Sequence, residues 1–95
     1  MNTDLIIIRE YCIQNQIEPE LIIQLENEGL IRISEVDNER YIHVSELKHL
    51  DQYVRWYYDL SINVEGIDVI QNLLDKMDEM QTEIHRLKER LRLID

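Results

Sequence analysis

The stretch that decides the fold is Ile13-Gln14-Asn15-Gln16-Ile17-Glu18-Pro19-Glu20-Leu21-Ile22-Ile23-Gln24-Leu25-Glu26-Asn27-Glu28-Gly29-Leu30. A first helix ends near Asn15, because Gln14-Asn15-Gln16 reads as a polar turn. Pro19 then suits the first turn of a second helix, where its missing N–H leaves no hydrogen bond unmade. Gly29-Leu30 stops that helix, since glycine adopts the left-handed cap without strain. Leu21, Ile22 and Leu25 fall on one face, predicted to be buried; Glu20, Gln24 and Glu28, four apart, fall on the opposite one. The second helix and its flanks carry Glu18, Glu20, Glu26 and Glu28, and no Lys or Arg.

Upstream, Ile7 to Asn15 reads as the first helix, with Ile8, Tyr11 and Cys12 at helical spacing. The opening Asp4-Leu5-Ile6-Ile7-Ile8-Arg9 is too short and too closely flanked by charge for a signal peptide. Downstream, Leu30–Ile33 and Tyr41–Val44 read as two short strands around a polar loop from Glu35 to Arg40, a small hairpin. Ser45 is placed to cap a third helix with Glu46 in its first turn. The apolar stripe of that helix is Leu47, Leu50, Val54, Tyr57 and Tyr58, with Tyr53 and Trp56 beside it. The run from Leu60 to Gly66 breaks the pattern.

The last segment is a heptad repeat. Ile70, Met77, Ile84 and Leu91 occupy position a; Leu73, Met80, Leu87 and Ile94 occupy position d. Such a stripe on a lone helix needs cover, and the body is too small to cover roughly 40 Å of helix at 1.5 Å per residue. The seam is therefore expected to pair with a second copy as a C2 homodimer, the alternative being a helix folded back on its own body. Methionine at both central positions suggests adaptable packing. Strand direction stays open. Parallel pairing sets Glu83 opposite Lys88 and Arg90 near Asp95, whereas antiparallel pairing brings the basic tip towards Asp68 and Asp75.

The expected fold class is thus mainly α with a small β-hairpin wing: a winged helix-turn-helix body over 1–63 and a long coiled-coil dimerisation helix over 64–95. Apolar content of 44% excludes a disordered chain, and no apolar run approaches a membrane span. The single Cys12 cannot form an internal disulfide, which agrees with a reducing compartment, and the default location is cytoplasmic. Its apolar neighbours suggest a small buried side chain.

Catalysis finds little support. His43, His49 and His85 are scattered, Cys12 stands alone, and two glycines cannot build a phosphate loop. No enzyme activity, metal or cofactor is expected.

Net charge is −10, unevenly spread: residues 1–85 hold 18 acids and 6 bases, whereas Arg86, Lys88, Arg90 and Arg92 make the tip basic. Cations near a helix C-terminus also suit its dipole. Exposed candidates on the second helix are Glu20, Ile23, Gln24, Asn27 and Glu28. Gln24 and Asn27 have the chemistry to read adenine, but the carboxylates beside them would face phosphate. The wing loop offers Glu35, Asp37 and Glu39 against Arg40. A nucleic-acid partner is disfavoured.

The order of elements resembles the MerR family. In that family the second helix resembles Thr-Leu-Arg-Tyr-Tyr-Glu-x-x-Gly-Leu, with the arginine and first tyrosine serving DNA. Aligned on Gly29-Leu30, this chain keeps Glu26 but has Ile23 at the arginine position and Gln24 and Leu25 at the tyrosines. A closer likeness is to the chaperone-modulator (CbpM) family, through Ile8-Arg9-Glu10-Tyr11-Cys12-Ile13, Glu28-Gly29-Leu30-Ile31, the run from Tyr58 to Ile67, Leu73-Leu74-Asp75 and Leu87-x₃-Leu91. That resemblance implies a cytoplasmic homodimer that binds the J-domain of a CbpA/DnaJ-type co-chaperone and restrains its work with a DnaK-type chaperone. J-domains present a basic helix, so an acidic competitor suits them. Candidate contacts are Glu20, Ile23, Gln24 and Glu28; Ile23 is either an exposed apolar residue among polar ones or packed under the wing. A second candidate is Trp56 with Arg55 and Asp59, unless Trp56 fills the core or dimer interface. The rivals are a MerR-type DNA-binding transcriptional regulator and a plain dimerisation scaffold.

Overall fold

The computed structural model describes residues 4–94, with the side chain of Ile94 outside the description. In chain order the elements are β1 (Leu5–Ile7), α1 (Ile8–Asn15), α2 (Pro19–Asn27), β2 (Ile33–Val36), β3 (Glu39–His43), a 3₁₀ turn (Val44–Glu46), α3 (Leu47–Leu60) and α4 (Val64–Ile94). The winged helix-turn-helix with a long terminal helix is as expected.

Both helices of the helix-turn-helix end in the same way. At α2, Leu30 N–H donates to Leu25 O and Gly29 N–H to Glu26 O, both at 2.9 Å, with Gly29 at φ +75°. At α1, Ile17 N–H donates to Cys12 O (2.9 Å) and Gln16 N–H to Ile13 O (3.4 Å), with Gln16 at φ 55°. This paired bonding satisfies carbonyls that a helix end leaves free. Ile17, the residue after each left-handed cap's equivalent in α1, is buried and turns the chain into α2. Pro19 opens α2 as its first residue, and Leu21, Ile22 and Leu25 are buried, as the spacing predicted.

The sheet departs from the expected two-stranded hairpin. β1 joins it, giving the antiparallel order β1-β3-β2. Ile6 and Ile33 both face Ile42 across the sheet, and Ile42 is fully buried. Leu5-Ile6-Ile7 is apolar without alternation and only three residues long, so its strand character comes from pairing rather than from pattern. Consequently α1 starts at Ile8, one residue later than the spacing suggested.

The hairpin is also tighter than the expected six-residue loop. Glu35, Val36, Glu39 and Arg40 lie in strands, and only Asp37 and Asn38 turn the chain, at φ 53° and 64°. Asp and Asn tolerate positive φ, and two such residues match the right-handed twist of the strands. Their neighbours Glu35, Glu39 and Arg40 are charged, and charge in the sequence reads as loop.

Ser45 does not cap α3. Its N–H donates to His43 Nδ1 (3.1 Å) across the 3₁₀ turn, and α3 begins at Leu47. Within α3, Leu50 and Tyr53 are the buried residues, and Tyr58 is exposed rather than part of the buried stripe. Tyr11 Oη donates to Asp51 Oδ1 (2.5 Å), and Glu18 N–H donates to Tyr58 Oη (3.1 Å), so two tyrosines tie α1 and the turn to α3.

Asn63 caps α4: its Oδ1 accepts the N–H of Gly66 at 2.7 Å. Val64 and Ile67 enter the core with Ile8, Leu25, Leu50 and others. Beyond Asn72 every described residue of α4 is exposed. At 1.5 Å per residue its 31 residues span about 46 Å, which accounts for a longest dimension of 59 Å.

Candidate interaction surface

The free face of α2 is the first surface to consider. Glu20, Gln24 and Glu28 form one exposed stripe at spacings of four. Ile23 beside it is 43% exposed, so it does not pack under the wing. Asn27 is exposed as well. The position that would carry an arginine in a DNA reader is thus an isoleucine open to solvent. The position of the second tyrosine, Leu25, is fully buried and belongs to the core.

Arg40 of the hairpin and Arg9 of α1 are each paired with a carboxylate. Arg40 of β3 is bound by Glu26 of α2 and stands opposite Glu35 in the register. Arg9 of α1 pairs with Glu39 at 3.3 Å. Each pairing joins the hairpin to the helical unit.

Between α1, the start of α2 and the hairpin tip lies a cleft of about 430 Å³. Ile8, Cys12 and Ile17 form its floor, Ile13 and Pro19 its apolar sides, and Asn38, Glu39 and Arg40 its far wall. Ile13 is 71% exposed. Burial raises the Cys12 thiol pKa above its ordinary value, keeping it protonated as a small apolar side chain. This cleft was not legible in the sequence, because its walls come from segments far apart in the chain.

Trp56 is half-buried and packs on the core, tilted against Tyr53 with ring centres 6.0 Å apart. Arg55 and Asp59 are exposed near it. Of the two alternatives for Trp56, packing describes most of its surface.

The seam of α4 is a separate surface. Leu73, Met77, Met80, Ile84, Leu87 and Leu91 are all exposed, and Ile70 is half-buried. The side chain of Ile94, the last d position, and Asp95 lie outside the described residues. Leu74 and Val69, also exposed, widen the apolar band near the body. The helix does not fold back onto its own body, and among the described residues none covers the band from Leu73 to Leu91.

Among the described residues no group of three or more His, Cys, Asp or Glu is placed to hold a metal ion. No described helix is long and apolar enough to cross a membrane.

The sequence matches the family model described as MerR HTH family regulatory protein over residues 6–89. The chain belongs to the MerR family. The match runs from β1 into the last turns of α4 and so takes in most of the projecting helix. Neither a characterised protein nor a solved structure gives a significant match. Membership points to a regulator.

Proposed function

We propose that this MerR-family protein is a protein-binding regulator of a J-domain co-chaperone, a modulator that occludes the basic helix through which a J-domain meets its DnaK-type chaperone. The observation that carries the reading is the α2 face, where Glu20, Gln24 and Glu28 stand exposed around Ile23 with no cation on the helix. Carboxylates steer a basic partner and quicken encounter, and the isoleucine offers an apolar anchor for the docked complex. The same face repels the phosphate backbone on which DNA affinity depends. The working form is a cytoplasmic homodimer joined through the α4 seam, presenting one acidic face per protomer.

The test is calorimetric titration with the J-domain of the same organism's CbpA/DnaJ-type protein at two salt concentrations. Micromolar or tighter binding that weakens with salt is expected. The charge-reversed E20K/E28K protein should bind at least tenfold more weakly, with flatter salt dependence. Unchanged affinity in that protein removes α2 from the interface, and no heat at either salt sinks the J-domain reading.

A second reading is favoured by the family itself: a MerR-type DNA-binding transcriptional regulator using exposed Gln24 and Asn27 to read bases. It requires sequence-specific duplex binding that fades as salt rises.

A further inference from the structure

We propose that the cleft between α1, the start of α2 and the hairpin tip seats an apolar side chain of a basic amphipathic helix, with Ile13 and Ile23 as the flanking apolar contacts. This deepens the J-domain reading above and rests on it. The acidic α2 stripe supplies charge but only one exposed apolar residue. The cleft supplies the rest. Ile13 stands 71% exposed at its edge, above a floor of core residues that are at most 7% exposed. Pro19 lines the cleft, and Ile23 lies one turn further along the same face of α2, so the apolar strip continues from one into the other. At about 430 Å³ the cleft has room for a leucine- or phenylalanine-sized side chain.

Charge selects the occupant. The cleft's wall cations, Arg9 and Arg40, are already met by Glu39 and Glu26. Glu10, three residues before Ile13, and Glu18 and Glu20, flanking Pro19, are exposed and make no ion pair among the described residues. The residues that adjoin the cleft's lining on α1 and α2 therefore carry uncompensated negative charge beside an apolar centre. A helix with lysine or arginine flanking a bulky apolar residue matches it in both respects; a nucleic acid matches it in neither.

Ile13→Glu separates anchoring from steering. The substitution adds negative charge, which by steering alone would tighten binding to a basic partner. If Ile13 anchors the partner, the same substitution must weaken it. Titration of the full chain with the J-domain should show at least tenfold weaker binding for I13E and a smaller loss for I13A. Far-UV dichroism and Tm should not change, because the side chain is largely in solvent. Wild-type binding with I13E equal or tighter overturns the cleft as the anchor and leaves the J-domain reading standing. No binding by the wild-type chain overturns both. A change in the sedimentation of free I13E means that a second copy occupies the cleft, and overturns it as well.

Discussion

Glu26 on α2 binds Arg40 on β3, so a cation of the hairpin is held by a carboxylate of the second helix of the helix-turn-helix. The pair also fixes the hairpin against the helix-turn-helix unit. Both side chains are about one-third exposed, which places the pair near the surface class rather than the buried one. Glu26→Gln is expected to cost about 1 kcal/mol or less, read as a lower urea midpoint with an unchanged slope. A loss above about 3 kcal/mol would mean that Arg40 is stranded as a buried charge, contrary to its exposure.

Burial of Tyr11 and its hydrogen bond to Asp51 make stability fall at alkaline pH. Burial, then the bond to Asp51 and the neighbouring charge, raise the Tyr11 pKa above its ordinary 10.0. Burial raises Tyr53 in the same direction, and Cys12 above its ordinary 9.0. A group whose folded pKa is raised contributes its full stability below the unfolded value and loses it as pH rises towards the folded one. Denaturation midpoints should thus be level through neutral pH and fall from about pH 9 upward. Tyr11→Phe should lower stability at pH 7 by about 0.5–1.5 kcal/mol and make the alkaline fall shallower. An equally steep fall in Y11F would assign the loss to Tyr53 and Cys12.

The turn at Asp37-Asn38 holds both residues at positive φ. Asn38→Gly should be neutral or slightly stabilising, because glycine takes this conformation freely. Asn38→Val should cost about 1–2 kcal/mol, since a branched Cβ is strained there. Thermal melts of the two variants check the order. A valine variant as stable as wild type would mean that the hairpin had changed its turn.

Legibility in the sequence followed how local each signal was. Pro19 and Gly29 mark α2 because each acts on its own backbone, and the buried trio Leu21, Ile22 and Leu25 follows from helical spacing within that frame. Leu5–Ile7 carries no strand signal of its own, because only pairing with Tyr41–His43 makes it a strand. Glu35, Glu39 and Arg40 read as loop in the sequence because polarity carries no information on backbone geometry, and two of the three are half-buried in ion pairs. Exposure of Ile23 could be narrowed to two alternatives, and the wing's position chose between them. Ile13 was harder still: next to Cys12 it looks like more of the same apolar face, and only the separate approach of Pro19 and the hairpin tip shows it edging a cleft.

The α4 seam gives the last prediction. Met77 and Met80 sit at its centre, 55% and 63% exposed, with Leu73, Ile84, Leu87 and Leu91 equally open on the same stripe. A band of that length left in water favours a second copy, because pairing buries a and d side chains from both helices at once. Docking of Val64 and Ile67 into the body fixes the helix at its base, so pairing orders little that is not already ordered. Sedimentation equilibrium should find a dimer at micromolar concentration. Met77→Asp with Met80→Asp should yield monomers whose body still melts cooperatively, since neither residue touches the core. A wild-type monomer would leave the seam for a different helix. J-domain affinity per protomer should survive the double substitution, because α2 lies on the body and its face is complete within one chain.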